Sequence, residues 1–114
     1  MSGIQVRRAT RRDIGALLRI ESSCFLSEAW DAELFRDYLD ICSDLFLIAK
    51  LGGRIAGYSI ACMSDDTGEI DSLAVLPDFR CRGVGRALLR ATLNGLRRRR
   101  IAVCSLVVRR NNRV

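Results

Sequence analysis

Between residues 80 and 86 the chain reads Arg-Cys-Arg-Gly-Val-Gly-Arg, lying between an apolar run and an amphipathic one. Arginine presents a fixed planar fork of N–H donors that matches phosphate and carboxylate. Gly83 and Gly85 remove Cβ atoms, so an anion can come close to the backbone. The first N–H groups of a helix starting here would lack intrahelical partners, and its dipole would be positive. Arg80, Arg82 and Arg86 could add charge-assisted hydrogen bonds around the rim. The spacing predicts a site for an anion the size of a pyrophosphate. Two other phosphate loops are excluded. No stretch reads G-x-x-x-x-G-K-[ST], and the third glycine position of a G-x-G-x-x-G fingerprint is filled by Leu88.

Other chemistries are closed by what the chain lacks. There is no histidine, so neither a Cys–His nor a Ser–His pair can form. With no histidine and no C-x-x-C pair, an ordinary zinc site is not expected. The cysteines are Cys24, Cys42, Cys62, Cys81 and Cys104. Their odd number, without an export signal, fits reduced thiols that serve mostly as small core residues.

The turn must be positioned by a strand before it and a helix after it. "EIDSLAV" (69–75) reads as the strand, ended by Pro77, which cannot donate to a ladder. Val84, Ala87, Leu88 and Ala91 form one side of a helix over about 84–99. Arg97 to Arg100 crowd its C-terminus, where cations complement the dipole. Upstream, "IQVRR" (4–8) suits a short strand. Thr10 and Asp13 signal a helix start, and the apolar spacing runs to about residue 23. Asp31 is a good N-cap for a second helix, with Trp30 and Phe35 placed as a hydrophobic staple. "LFLIAKL" (45–51) and "RIAGYSIACM" (54–63) flank Gly52-Gly53 as a hairpin, followed by a polar loop, "SDDTG". "AVCSLVV" (102–108) is a fifth strand.

The 114 residues allow one domain with a modest core, here 1–114. About half are apolar and 28% charged, a globular balance. No apolar run approaches the ~20 residues that span a bilayer, and no secretory h-region opens the chain. No membrane association is expected, and the expected location is cytoplasmic. The net charge is +6, and of 19 basic residues only Lys50 is lysine. That balance suits a nucleotide-like ligand, a nucleic acid or an acidic partner, and equally a solvated basic surface. A single-strand binder would need interleaved exposed aromatics, which the sequence does not show.

The six residues Arg80 to Gly85 fit R-x-x-G-x-G, and "EIDSLAVLPDFRCRGVGRALL" carries strand, loop and helix without a gap. In this the chain resembles the GNAT superfamily of N-acetyltransferases. "CFLSEAWDAELF" and "LVVRRNN" are similar to segments of the bacterial ribosomal-protein-alanine N-acetyltransferases. The resemblance implies a mixed α/β (α+β) fold with a mostly antiparallel central sheet and helices on both faces. It also implies a further helix and two strands beyond residue 114, so the chain reads as C-terminally truncated. An open fifth strand then leads to an expected homodimer. Val107 stands where the subfamily carries a base glutamate.

What the resemblance implies for chemistry is specific. Acetyl-CoA is the co-substrate and a primary amine, such as a protein N-terminus, the acceptor; no metal takes part. The pyrophosphate lies on Arg80, Cys81, Arg82, Gly83, Val84, Gly85 and Arg86, and Asn112 helps hold the CoA arm. The pantetheine pairs with the backbone of Leu73, Ala74 and Val75 at a splay between the fourth and fifth strands. The Val75 N–H polarises the thioester carbonyl. The attacking amine must be neutral, which calls for a general base. Glu69 occupies the position of the base glutamate in histone-type members, and Asp71 is the second candidate, two residues on. An even separation along a strand would put Glu69 and Val75 on one face. A straight strand would also hold them on the order of 20 Å apart, so a bulge or bend near Ser72, or a chain of waters, is required. The alternative is a catalytically impaired acetyl-CoA-binding or interaction module.

Overall fold

The computed structural model describes residues 3–107. In chain order it contains β1 (Ile4–Arg8), α1 (Ile14–Phe25), α2 (Ala32–Ile41), β2 (Phe46–Leu51), β3 (Arg54–Ser64), β4 (Thr67–Val75), α3 (Val84–Arg98) and β5 (Val103–Leu106). The sheet order is β1-β2-β3-β4-β5. The first four strands are antiparallel, and β5 returns parallel to β4 after the α3 crossover. This is the mixed, mostly antiparallel architecture expected.

Local chemistry accounts for the element ends. Ahead of α1, a single 3-10 turn (Arg11–Asp13) is closed by Asp13, whose carboxylate accepts the Thr10 N–H at 2.8 Å. Asp31 caps α2 by accepting the Leu34 N–H at 2.9 Å. The staple forms, with the Trp30 and Phe35 rings 5.9 Å apart edge to face. Gly52 and Gly53 both adopt positive φ, as a two-residue turn between right-twisted strands demands. The polar loop expected at 64–68 is instead a second two-residue turn, with Ser64 opposite Thr67 and Asp65 at φ 52°. Strand pairing runs to the end of the hairpin, so only Asp65 and Asp66 lie outside the ladder.

The two faces of the sheet carry separate cores. Leu17, Ile20 and Phe25 of α1 and Phe35 of α2 pack with Phe46, Ile48, Tyr58, Ile60 and Ala74. On the other face Val84 and Leu88 of α3 pack with Leu47, Ala49 and Ala56, and Leu96 with Leu45, Ala61 and Ile70. Among the described residues no helix is long and apolar enough to cross a membrane. Cys42, just past α2, is joined to Cys62 on β3 by a disulfide. This corrects the expectation of reduced thiols for that pair, which backbone placement brings to a Cα separation of 5.2 Å. Cys24, Cys81 and Cys104 are free.

One irregularity decides how the site is built. Ser72 pairs with Ile60, but the next pair is Ile70 with Ala61, so Asp71 is an extra residue on β4. The bulge reverses the strand's alternation. Ile70 packs toward α3, as do Leu73 and Val75 beyond the bulge. Glu69 lies opposite Cys62, which is tied to the end of α2, and Asp71 reaches Tyr38 on α2. Glu69 and Val75 therefore lie on opposite faces, contrary to the even-separation expectation, because one inserted residue changes the parity. A bulge is present next to Ser72, at Asp71, and its effect is to turn Glu69 to the face opposite Val75.

Candidate functional site

β5 pairs with β4 only from Thr67 to Ile70, the last contact being Val107 N–H to the Ile70 carbonyl at 3.0 Å. From Asp71 onward the outer edge of β4 meets no strand among the described residues. Its direction follows from the ladder with β3. Leu76 donates to Ala56 at 2.8 Å, so Ala74 and Ser72 also turn their amides to β3. The N–H groups of Leu73 and Val75 consequently point outward. This unpaired stretch of the β4 edge, among the described residues, is the one against which the splay was expected; the continuation of the fifth strand lies outside the described residues.

The outward edge forms one wall of a cleft of about 740 Å³. Leu73, Ala74, Val75, Arg80, Cys81, Gly83, Val84, Gly85 and Arg86 all line it. The opposite wall is the start of α3. Gly83 is its N-cap at φ 87°, a conformation that favours glycine, and the first intrahelical bond is Ala87 N–H to the Gly83 carbonyl. The amides of Val84, Gly85 and Arg86 precede that bond, leaving donors at a positive helix end. A Cβ on Gly85 would point at Val75 Cγ2 and Leu73 Cδ2, 3.7 and 3.8 Å away, so its absence widens the cleft between helix and strand.

The arginines divide their roles. Arg80 Nε donates to the Val75 carbonyl at 3.2 Å, and its Nη2 lies 3.5 Å from Cys24 Sγ. Its guanidinium braces the strand edge, where rim hydrogen bonding had been expected. Arg82 is exposed, lies outside the cleft lining, and stacks over Phe79 at 5.9 Å. Phe79 lines the cleft and was not singled out in the sequence, because one aromatic next to Pro77 reads as ordinary packing. Asn112 lies outside the described residues.

Behind the bulge a polar assembly faces α1 and α2. Tyr38 donates to Asp71 Oδ2 at 2.7 Å, while Asp71 Oδ1 is buried and has no hydrogen-bond partner among the described residues. The adjoining Asp71 carboxylate pushes Glu69 above its ordinary value, through a shared hydrogen bond with the protonated form and through like-charge repulsion. Tyr58 donates to Glu21, and its hydroxyl oxygen lies 2.8 Å from Ser72 Oγ. Glu21, Tyr58 and Ser72 are buried. An acid on the apolar stripe of α1 was the visible signal for Glu21. Cys24, also buried, gives its S–H to the Val75 carbonyl at 3.4 Å. Burial raises that thiol above its ordinary value, which disfavours thiolate chemistry there.

The family model described as "Acetyltransferase (GNAT) family" matches residues 14–114. The chain belongs to that family. An acetyltransferase of Pectobacterium atrosepticum is 31% identical over 96% of this chain and 79% of its own length. An uncharacterized N-acetyltransferase of Methanocaldococcus jannaschii is 30% identical over 78% of this chain. The match spans only 56% of that relative's length. Among solved structures, Ard1 from Thermoplasma volcanium superposes with a TM-score of 0.86 at 25% identity, covering 96% of this chain and 74% of its own. A ribosomal-protein-alanine N-acetyltransferase from Brucella melitensis gives 0.74 at 25% identity, over 89% and 72%. The PaiA N-acetyltransferase of Thermoplasma acidophilum, solved with coenzyme A, gives 0.82 at 17% identity, over 96% and 81%, a likeness of fold. The resemblance read from "RCRGVG" is thereby shown for the GNAT family, with ribosomal-protein-alanine N-acetyltransferases among its relatives.

Proposed function

We propose that the protein transfers the acetyl group of acetyl-CoA directly to a primary amine, with a protein N-terminus as the acceptor. The observation that carries this is the cleft between two sets of outward amides, those of Leu73 and Val75 and those opening α3. A pyrophosphate suits the helix end, and an extended amide-bearing arm suits the strand edge. Both fit one ligand that is anionic at one end and peptide-like along its length.

In this reading the amides of Val84, Gly85 and Arg86 bind the pyrophosphate, with Arg86 beside them. The Leu73 backbone orients the arm. The Val75 N–H donates to the thioester oxygen and stabilises the negative charge that develops there. Asp71 and Glu69, on the opposite face at the bulge, take the proton from the attacking amine. Asp71 is the nearer of the two to Val75 along β4. The amine nitrogen forms the new C–N bond as the C–S bond breaks, and the thiolate departs as free CoA.

Incubation with acetyl-CoA and a peptide bearing a free α-amine tests the reading. Mass spectrometry should show one acetyl group gained by the peptide, in step with release of free thiol. Tight acetyl-CoA binding with no transfer to any amine would make it a binding module.

A further inference from the structure

Glu21 is fully buried on α1, and the transfer steps above make no use of it. A buried carboxylate is costly unless its oxygens are hydrogen-bonded. Here Oε2 accepts the Trp30 backbone N–H at 2.8 Å, and Oε1 accepts the Tyr58 hydroxyl. The one proton of Tyr58 is committed to Glu21, so Ser72 is the donor in the 2.8 Å contact between the two hydroxyls. Ser72 directly follows the bulged residue, Asp71. A second arm leaves from Trp30, whose ring stacks on Tyr38 with centroids 5.1 Å apart. Tyr38 then donates to Asp71 Oδ2. Both arms start at Glu21 and converge on the bulge of β4.

An apolar residue of similar volume would pack at such a site with no charge to bury. What the carboxylate supplies is direction, because it accepts from two donors on different elements. We propose that Glu21 is a positioning residue for acetyl transfer. Through Tyr58 and Ser72 on one side, and Trp30 and Tyr38 on the other, it fixes Asp71 at the acceptor side of the site. This rests on the transferase reading above.

The test compares Glu21→Gln and Tyr58→Phe with Thr92→Ala. Thr92 is buried on the α3 side of the sheet, bonded to the Leu88 carbonyl at 2.9 Å, and outside both arms. The titratable groups around Asp71 are Glu69 of β4 and Tyr38 of α2, with Tyr58 of β3 and Glu21 of α1 behind them. Carbon-13 NMR of the carboxyl groups reads whether Asp71 stays beside Glu69. In Glu21→Gln the Glu69 midpoint should fall back toward an ordinary carboxylate, and kcat should drop by about 10- to 100-fold with acetyl-CoA affinity unchanged. Tyr58→Phe, which cuts one arm, should move both in the same direction by less, and it decides the matter if Glu21→Gln does not fold. Thr92→Ala should change neither. An unmoved Glu69 midpoint in both network variants overturns the proposal, as does an equal change in Thr92→Ala. If the parent protein transfers no acetyl group yet the midpoint moves as expected, the transferase reading falls and the fixing of Asp71 stands.

Discussion

The Tyr38 hydroxyl donates to Asp71 Oδ2 at 2.7 Å, joining the middle of α2 to the residue that β4 inserts relative to β3. The bulge turns Asp71 toward the helices, while Leu73 and Val75 carry the cleft wall on the other side. In the proposed reaction this strand serves as cofactor wall on one face and proton acceptor on the other, which would bring both halves of the transfer to one short segment.

Asp71→Asn is expected to lower turnover by roughly 10²- to 10⁴-fold. Glu69→Gln should lower it less, because Glu69 lies farther along the strand from Val75. Acetyl-CoA affinity should hold in both, and the losses should shrink at high pH, where the amine deprotonates itself. Steady-state kinetics across pH checks this. A full loss in Glu69→Gln with none in Asp71→Asn returns the role to Glu69.

Asp13 gives the acid sensitivity of the fold. Burial alone would push its carboxyl up, but hydrogen bonds from Arg7 and the Thr10 N–H, with the Arg7 charge, outweigh burial and hold it below its ordinary value. A depressed folded-state value means the stabilisation is complete above the unfolded value of about 3.9 and is lost as pH falls through the folded one. Asp13→Ala should cost about 1–3 kcal/mol at neutral pH. Denaturant melts should show the gap from the parent protein closing below that range.

Much of this was legible. The "RCRGVG" run marked the cleft because glycines and arginines at a strand-to-helix turn have few structural uses in common. The Gly52-Gly53 turn and the Asp31 cap likewise follow from local chemistry. The bulge was visible only as one of the ways to bring Glu69 nearer the reaction, since no residue type in "EIDSLAV" announces an insertion that depends on β3. The Glu21–Tyr58–Ser72 chain joins residues far apart in sequence, so no spacing rule reaches it. Arg80 was read as a rim donor because its strand-edge partner, the Val75 carbonyl, is defined by the fold.

The Cys42–Cys62 bond closes a loop with a sequence separation of 20. Loop-closure entropy makes such a link worth about 3 kcal/mol. Dithiothreitol should lower the melting temperature of the parent protein by several degrees and leave the Cys42→Ser, Cys62→Ser variant unchanged. Equal melting of the parent with and without reductant would contradict a formed bond.

β5 exposes Val103 and Leu106 at 60% and 63%. An exposed apolar edge strand is a template for pairing with another copy. Residues 1–114 should dimerise in light scattering, and Leu106→Lys should restore the monomer. A parent monomer at every accessible concentration would count against strand pairing.

The central claim is that the α3 start and the β4 edge hold acetyl-CoA, and isothermal calorimetry with Gly85→Glu measures it directly. A Cβ at Gly85 would meet Val75 and Leu73 at ordinary contact distance, so the substitution starts without strain at Cβ and aims its charge at the cleft wall. The parent protein should bind acetyl-CoA, and the variant should bind well over tenfold more weakly while its ligand-free melting temperature stays the same. Equal affinity in the two proteins would contradict the site.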